Sequence, residues 1–383
     1  MRIGIDARLY TSAGLGRYIS NLIKELERID TKNDYIIFVD QEGDKKYHPQ
    51  STNFKKWVVK QKPYTLQEQT AFLFELLRAH LDLLHVPHFN VPVLYPGKVV
   101  ITIHDLIMHN FAGKEASTLT PLMANIKRIG YQLVTTVSVL KSKKILVPSE
   151  YVKGEVLKKL KFVKEEKIEV LYEGVTRNLV ELAPSDSGVI QTRLEELGIK
   201  DRYFLYVGSA YAHKNLRTLV ISYKDLLDKG LFSGQLVIAG KIDQFTERLA
   251  GFIHALKLDT KVVFAARRTE GKHVPDSDLA YLYKGSMAYV SSSLEEGFGL
   301  TPLEAQAFNI PVLVSDIPIH REVLGDSALY MDPKSTIDIS NKMLKIFEED
   351  SLRQELVKKG RENIKKYSWE KMARSVFDTY ISI

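Results

Sequence analysis

The sequence contains no cysteine. Disulfides, thiolate metal sites and cysteine nucleophiles are excluded, and a reducing compartment fits. No apolar run is long enough to span a bilayer. The start has no n-region or cleavage site, because Met1-Arg2-Ile3-Gly4-Ile5-Asp6 enters a strand at once, so no signal peptide is expected. There is no nucleic-acid signature and no basic stripe with interleaved aromatics. The third glycine of a dinucleotide fingerprint is also missing. Gly14 and Gly16 are followed by Ile19 and Ser20, and the loop from the first strand is too long, which disfavours a dehydrogenase.

The residues that are present point to a soluble globular protein of two domains: 383 residues, 45% apolar and 26% charged. The net charge of +7 is unevenly spread. Residues 1–185 hold 27 Lys+Arg against 20 Asp+Glu, and the remainder holds 27 of each. Clusters such as Lys141, Lys143, Lys144 and Lys153, Lys158, Lys159, Lys161 suit anionic lipid headgroups. They suit a solvated helix face better, since Glu155, Glu165 and Glu166 interleave.

Strand and helix patterns alternate throughout, which predicts parallel sheets covered by helices on both faces. In the first half, strands are expected at 3–5, 35–39, 57–59, 81–85, 98–105, 145–147 and 170–172, with helices at 66–80 and 118–140 and a Ser149 helix cap. The strand at 98–105 ends on His104 and Asp105. Ligands in open α/β sheets lie beyond such carboxyl ends; the alternative is a histidine satisfied locally by Asp105. The Gly14-Leu15-Gly16 loop reads either as close backbone approach to a phosphate or as a tight turn. The polar stretch 184–188 is the expected linker. A second pattern then restarts, with strands at 203–208, 236–240, 262–264 and 287–290. A loop from Ser209 to Lys214 enters a helix, and a connection at 265–275 carries Arg267. The tail is an amphipathic helix. The expected boundaries are 1–185, 186–365 and 366–383.

The most informative stretch runs from Tyr289 to Asp316. Gly297 and Gly299 allow a tight turn. Thr301-Pro302 opens a helix, and Val312-Leu313-Val314 is a buried strand. Glu296 and Glu304 bracket a row of backbone N–H groups at the positive end of a helix, an arrangement suited to an anionic ligand bearing hydroxyls, such as a sugar diphosphate. Thr301 and Glu304 also fit a capping box.

These residues resemble family 4 retaining glycosyltransferases of the GT-B fold over essentially the whole chain. Gly4–Arg8 with Gly14–Tyr18 is similar to the family's opening strand and loop, Val99–Leu106 to its histidine-bearing strand, and Tyr206–Leu216 to its donor-phosphate loop. Glu296 to Glu304, EGFGLTPLE, is similar to its E-x7-E motif. The resemblance implies two Rossmann-like doubly wound domains facing across a cleft, with a C-terminal helix crossing back to the first domain. The acceptor side falls in 1–185 and the nucleotide-sugar side in 186–365. Within the family, the bacterial mannosyltransferase-like group of polysaccharide, lipopolysaccharide and O-antigen synthesis is nearest in character.

The resemblance also implies residue roles. His104, Lys214 and Glu296 would be catalytic. Glu296 would hold sugar hydroxyls, and the N–H groups of Phe298, Gly299, Leu300 and Thr301 would contact the sugar and diphosphate. Glu304 would bind ribose hydroxyls, Lys214 would neutralise the diphosphate, and Gly14 and Gly16 would let the first-domain loop approach the phosphate. Ser209 and His213 stand where many members carry arginine. A protonated His213, or Arg17 or Arg267, is expected to supply the second cation; Gly297 completes the donor set. No cofactor or metal is implied. The expected substrates are GDP-mannose and a lipid-linked or oligosaccharide acceptor. The alternatives are a UDP-sugar-dependent transferase, another GT-B reaction such as sugar-nucleotide epimerisation, and a non-catalytic binding subunit. The expected place is cytoplasmic, peripheral on the inner face of the membrane, with no nucleic-acid partner.

Overall fold

The computed structural model describes residues 1–107, 121–175, 177–271 and 273–383. They form two units, one of 1–174 with 368–383 and one of 175–367. In the first, seven parallel strands are laid out in the order β3-β2-β1-β4-β5-β6-β7. They are β1 (Arg2–Asp6), β2 (Asp34–Val39), β3 (Phe54–Val58), β4 (Leu83–Val86), β5 (Val99–Thr102), β6 (Lys144–Val147) and β7 (Ile168–Val170). The second unit has six parallel strands in the order β10-β9-β8-β11-β12-β13. These are β8 (Tyr203–Val207), β9 (Gln235–Ala239), β10 (Val262–Phe264), β11 (Ala288–Ser291), β12 (Val312–Ser315) and β13 (Leu329–Met331). Both orders are doubly wound, so each sheet has a switch point where its strand order reverses: β1/β4 in the first and β8/β11 in the second.

The inner strands form because they are almost wholly apolar and buried on both faces, as in YFLYV, QLVIA and VVIT. The helix Gly14–Ile29 buries Ile19, Leu22, Ile23 and Leu26 on one stripe. Ser149 caps its helix as expected, accepting from the amide of Val152. The helix expected at 118–140 is described as Pro121–Lys141; residues 118–120 lie outside the described residues. The terminal helix Trp369–Ser382 belongs to the first unit and packs on the helix Gly14–Ile29.

Four details differ from the sequence reading. The chain leaves the first unit after Gly174, not at 185, and returns at Ser368, not at 366. The polar stretch at 184–188 is a helix cap: Asp186 accepts from the amides of Gly188 and Val189 and starts the helix Ser187–Glu196. That helix is tied into the second unit by Arg193, which is bidentate to Asp278. The segment at 66–80 begins as a π-helical turn, Glu68–Phe72, before the α-helix Leu73–Arg78. Finally, β13 carried no strong pattern of its own and completes the second sheet beside β12.

Candidate functional site

At the second unit's switch point, the chain leaves β8 through Gly208 and Ser209 and makes a single 3-10 turn, Ala212–Lys214. Asn215 then adopts a left-handed conformation (φ 56). Its side-chain amide donates to the carbonyls of Ser292 (3.2 Å) and Pro333 (2.7 Å). The loop after β11 is stitched to the same turn: the Leu294 amide donates to the His213 carbonyl (2.7 Å), and the Ser292 hydroxyl donates to the Lys214 and Asn215 carbonyls. Two loops distant in sequence are thereby held in register, which sets the next contact. Lys214 Nζ donates to both oxygens of Glu296, at 2.6 and 2.7 Å, and Ser293 adds a third bond to Glu296 at 2.7 Å.

The Lys214 and Glu296 side chains remain 17% and 16% exposed, so the pair is reachable. Burial pushes the Glu296 carboxyl up, but the charge and hydrogen bond of Lys214 outweigh it and hold Glu296 below the usual carboxylate range. Burial, then the Lys214 charge, push His213 down to about 4, with Glu296 opposing.

The helix Leu300–Ala307 begins one residue before the expected Thr301, after Gly299 at φ 91, a conformation that favours glycine. No side chain caps it, so the capping-box reading fails. Thr301 instead pairs with the Tyr289 hydroxyl (2.7 Å), and Glu304, buried, accepts from the Tyr283 hydroxyl (3.1 Å). Gly297, Phe298, Gly299 and Leu300 thus lead from Glu296 into the helix start. The Phe298 ring packs edge-on to Tyr367. The Ser209 carbonyl accepts from Tyr206. Arg267 lies on the surface, paired with Glu247 (2.7 Å) and over the Phe264 ring.

His320 was not anticipated. It is buried at the carboxyl end of β12, donates to the Ser315 carbonyl (2.8 Å), and lies beside Gly299. Burial lowers its pKa, with Glu296 opposing. The signal was present as a histidine five residues past the Val312–Ser315 strand, but one histidine after a strand is a common pattern.

In the first unit, Gly14 is exposed, and Gly16 is packed by its own loop: a Cβ there would overlap the Tyr10 carbonyl. The turn itself therefore requires glycine at position 16. His104, just past β5, places Nδ1 3.0 Å from Glu173 Oε1 and Nε2 3.2 Å from the Pro87 carbonyl. The expected local partner Asp105 bonds the Ile107 amide. Glu173 is thus a second residue that the sequence did not single out.

The first unit's switch point is closed. Arg8 donates to Asp6 (2.8 and 2.6 Å) and Glu68 (2.5 Å), and covers the Phe72 ring at 3.7 Å. Asn90 and the Tyr64 amide bond the other Glu68 oxygen. A cavity of about 10 Å³ is left there, room for one water at most. The basic run at 141–167 is interlaced with acids: Lys153 pairs with Glu150 and Glu165, and Lys158 and Lys159 pair with Glu155. Among the described residues, no three His, Asp or Glu side chains converge as a metal site, and no helix is long and apolar enough to cross a membrane.

Residues 12–179 match the family described as Glycosyltransferase Family 4, and residues 190–363 match Glycosyl transferases group 1. The O-antigen chain mannosyltransferase RfbU of Salmonella typhimurium is 30% identical over 64% of this chain and 59% of its own length. The O-antigen chain mannosyltransferase B of Escherichia coli is 30% identical over 46% of this chain and 45% of its own. The chain therefore spans about half the length of these relatives. A solved sucrose-phosphate synthase from Thermosynechococcus elongatus has a TM-score of 0.77 at 18% identity, covering 100% of this chain and 98% of that one, a likeness of fold.

Proposed function

Because the chain belongs to the group 1, family 4 glycosyltransferases, we propose that it moves a sugar from a nucleotide-sugar donor to a glycan or lipid-linked acceptor, with retention at the anomeric carbon and no metal. The donor is GDP-mannose and the product a bacterial surface polysaccharide of the O-antigen type, a reading supported by the two mannosyltransferase relatives. A lipid-linked acceptor would be met at the cytoplasmic face of the membrane.

The observation that carries this reading is the Lys214–Glu296 pair at the β8/β11 switch point, beside a helix start. Breaking the anomeric C–O bond builds positive charge on the sugar and negative charge on the leaving diphosphate. Lys214 and the N–H groups of Phe298 to Thr301 would stabilise the phosphate. Glu296, freed from Lys214 as the diphosphate takes that cation, would accept bonds from the sugar hydroxyls. Glu304 would meet the ribose, and His104 would serve the transfer from the first unit.

Thermal denaturation with GDP-mannose, UDP-glucose and ADP-glucose tests the donor, since a ligand that binds the native state raises its stability. The midpoint should rise with GDP-mannose and not with the other two. A rise with UDP-glucose alone overturns the donor choice, and conversion of the donor without an acceptor overturns the transferase reading.

A further inference from the structure

Both ring nitrogens of His104 face oxygen acceptors: Nδ1 the Glu173 carboxylate, Nε2 the Pro87 carbonyl. A neutral imidazole carries one N–H and can satisfy only one of them; the imidazolium satisfies both. We propose that Glu173 holds His104 as a doubly protonated, oriented cation, so that His104 acts in transfer as a hydrogen-bond donor and positive charge and never as a base. This rests on the reading of His104 as part of the transfer site.

The surroundings agree. Among the described residues, Tyr18 from the helix Gly14–Ile29 lies edge-on to the ring, Glu173 bonds it, and His85 from β4 and His88 from the loop after it are near enough to feel its charge. Burial, then the charge of His104, push His85 and His88 down to about 3, so both stay neutral. Burial raises Tyr18 above its usual range. Glu173 is the carboxylate bonded to His104. Glu173 is nearly fully buried, with 5% of its side chain exposed, and a buried carboxylate is costly unless paired.

The next residue in the chain helps to fix Glu173 in place. Gly174 packs so closely on the Trp369 backbone that a Cβ would overlap the Trp369 amide. Trp369 lies edge-on to Tyr18 at 6.2 Å between ring centres, and Tyr18 lies edge-on to His104 at 4.6 Å. The two places where the chain leaves and rejoins the first unit, Gly174 and Ser368, therefore flank the histidine's supports. Glu173 is a positioning residue: it acts through His104.

The test is ring-nitrogen NMR of the full chain labelled with 15N-histidine, with the His104 signals among ten histidines assigned through His104→Gln. At pH 7 the wild type should give two imidazolium-type nitrogens at His104. Glu173→Gln should give one protonated and one bare nitrogen there, and Glu173→Asp, which keeps the charge, should retain the imidazolium pattern. Glu173→Gln should also lower kcat about 10- to 100-fold, the effect of losing one charge-assisted hydrogen bond, with donor affinity unchanged. A neutral His104 in the wild type, or an imidazolium that survives Glu173→Gln, overturns the proposal. The spectrum does not depend on turnover. Imidazolium signals in a chain that transfers no sugar would sink the function and leave the pairing; turnover with a neutral His104 would do the reverse.

Discussion

The two sheets have the same winding, and their switch points have opposite fates. At β8/β11 the loops leave a cation–carboxylate pair within reach of solvent. At β1/β4 the equivalent position is filled by Arg8, Asp6 and Glu68, whose side chains are 1%, 7% and 1% exposed. One guanidinium there serves two carboxylates, and burial leaves Glu68 above the usual carboxylate range despite Arg8. The same ion-pair chemistry thus seals one crevice and furnishes the other. Access decides which, and access is set by what the loops bring: Phe72, Asn90 and the π-helical turn close the first, whereas at the second Ser293 steadies Glu296 and the pair stays partly exposed.

The contrast can be broken in order of expected effect. Arg8→Met should be the most damaging to the fold. It strands two buried carboxylates and should cost about 3–5 kcal/mol of first-unit stability, read by urea denaturation; a loss under ~1 kcal/mol would mean that the closed switch point is not held by its ions. Lys214→Met should act mainly on the reaction, slowing transfer by ~10²–10³-fold with a smaller loss of stability than Arg8→Met. Equal damage to stability from both variants would erase the distinction. Glu304→Gln can still accept from Tyr283, so the fold should hold while donor affinity falls roughly tenfold, the loss of about one hydrogen bond to a charged group; unchanged affinity would make Glu304 a packing residue. The smallest effect is expected from His213→Gln. Folded His213 titrates at about 4, below its ordinary value, so the unfolded chain binds more protons as pH falls from about 6.5 toward 4, and stability drops in that window. The variant should lose less stability there, with donor affinity flat from pH 5.5 to 8. A wild-type affinity that varies across that range, and flattens in the variant, would show a charged His213 beside the bound donor.

The fold was legible because its strands are apolar runs separated by helical spacing, a pattern that survives in one sequence. Glu296 and Lys214 were legible because each sits in a recognisable loop. Glu173 was not: it lies 69 residues from His104, and nothing local to a Leu-Tyr-Glu-Gly turn declares a distant partner. Arg8 was read only as part of a motif, since its burial depends on Glu68, 60 residues away. The helix cap at 184–188 was mistaken for a linker because Pro, Ser, Asp and Gly mark both, and only packing tells them apart. The Glu304 cap failed for a related reason: a left-handed Gly299 had already started the helix, so no capping side chain was needed.

The return of residues 368–383 to the first unit bears on how the protein is made. The second unit is one uninterrupted segment, so its sheet can be completed while synthesis continues. The first unit must wait. Until residues 368–383 leave the ribosome, buried His85 lacks the Tyr380 hydroxyl at 2.5 Å, Glu169 lacks Thr379, and Gly174 has no Trp369 against it. The half of the molecule that is synthesised first cannot complete its contacts until residues 368–383 are made.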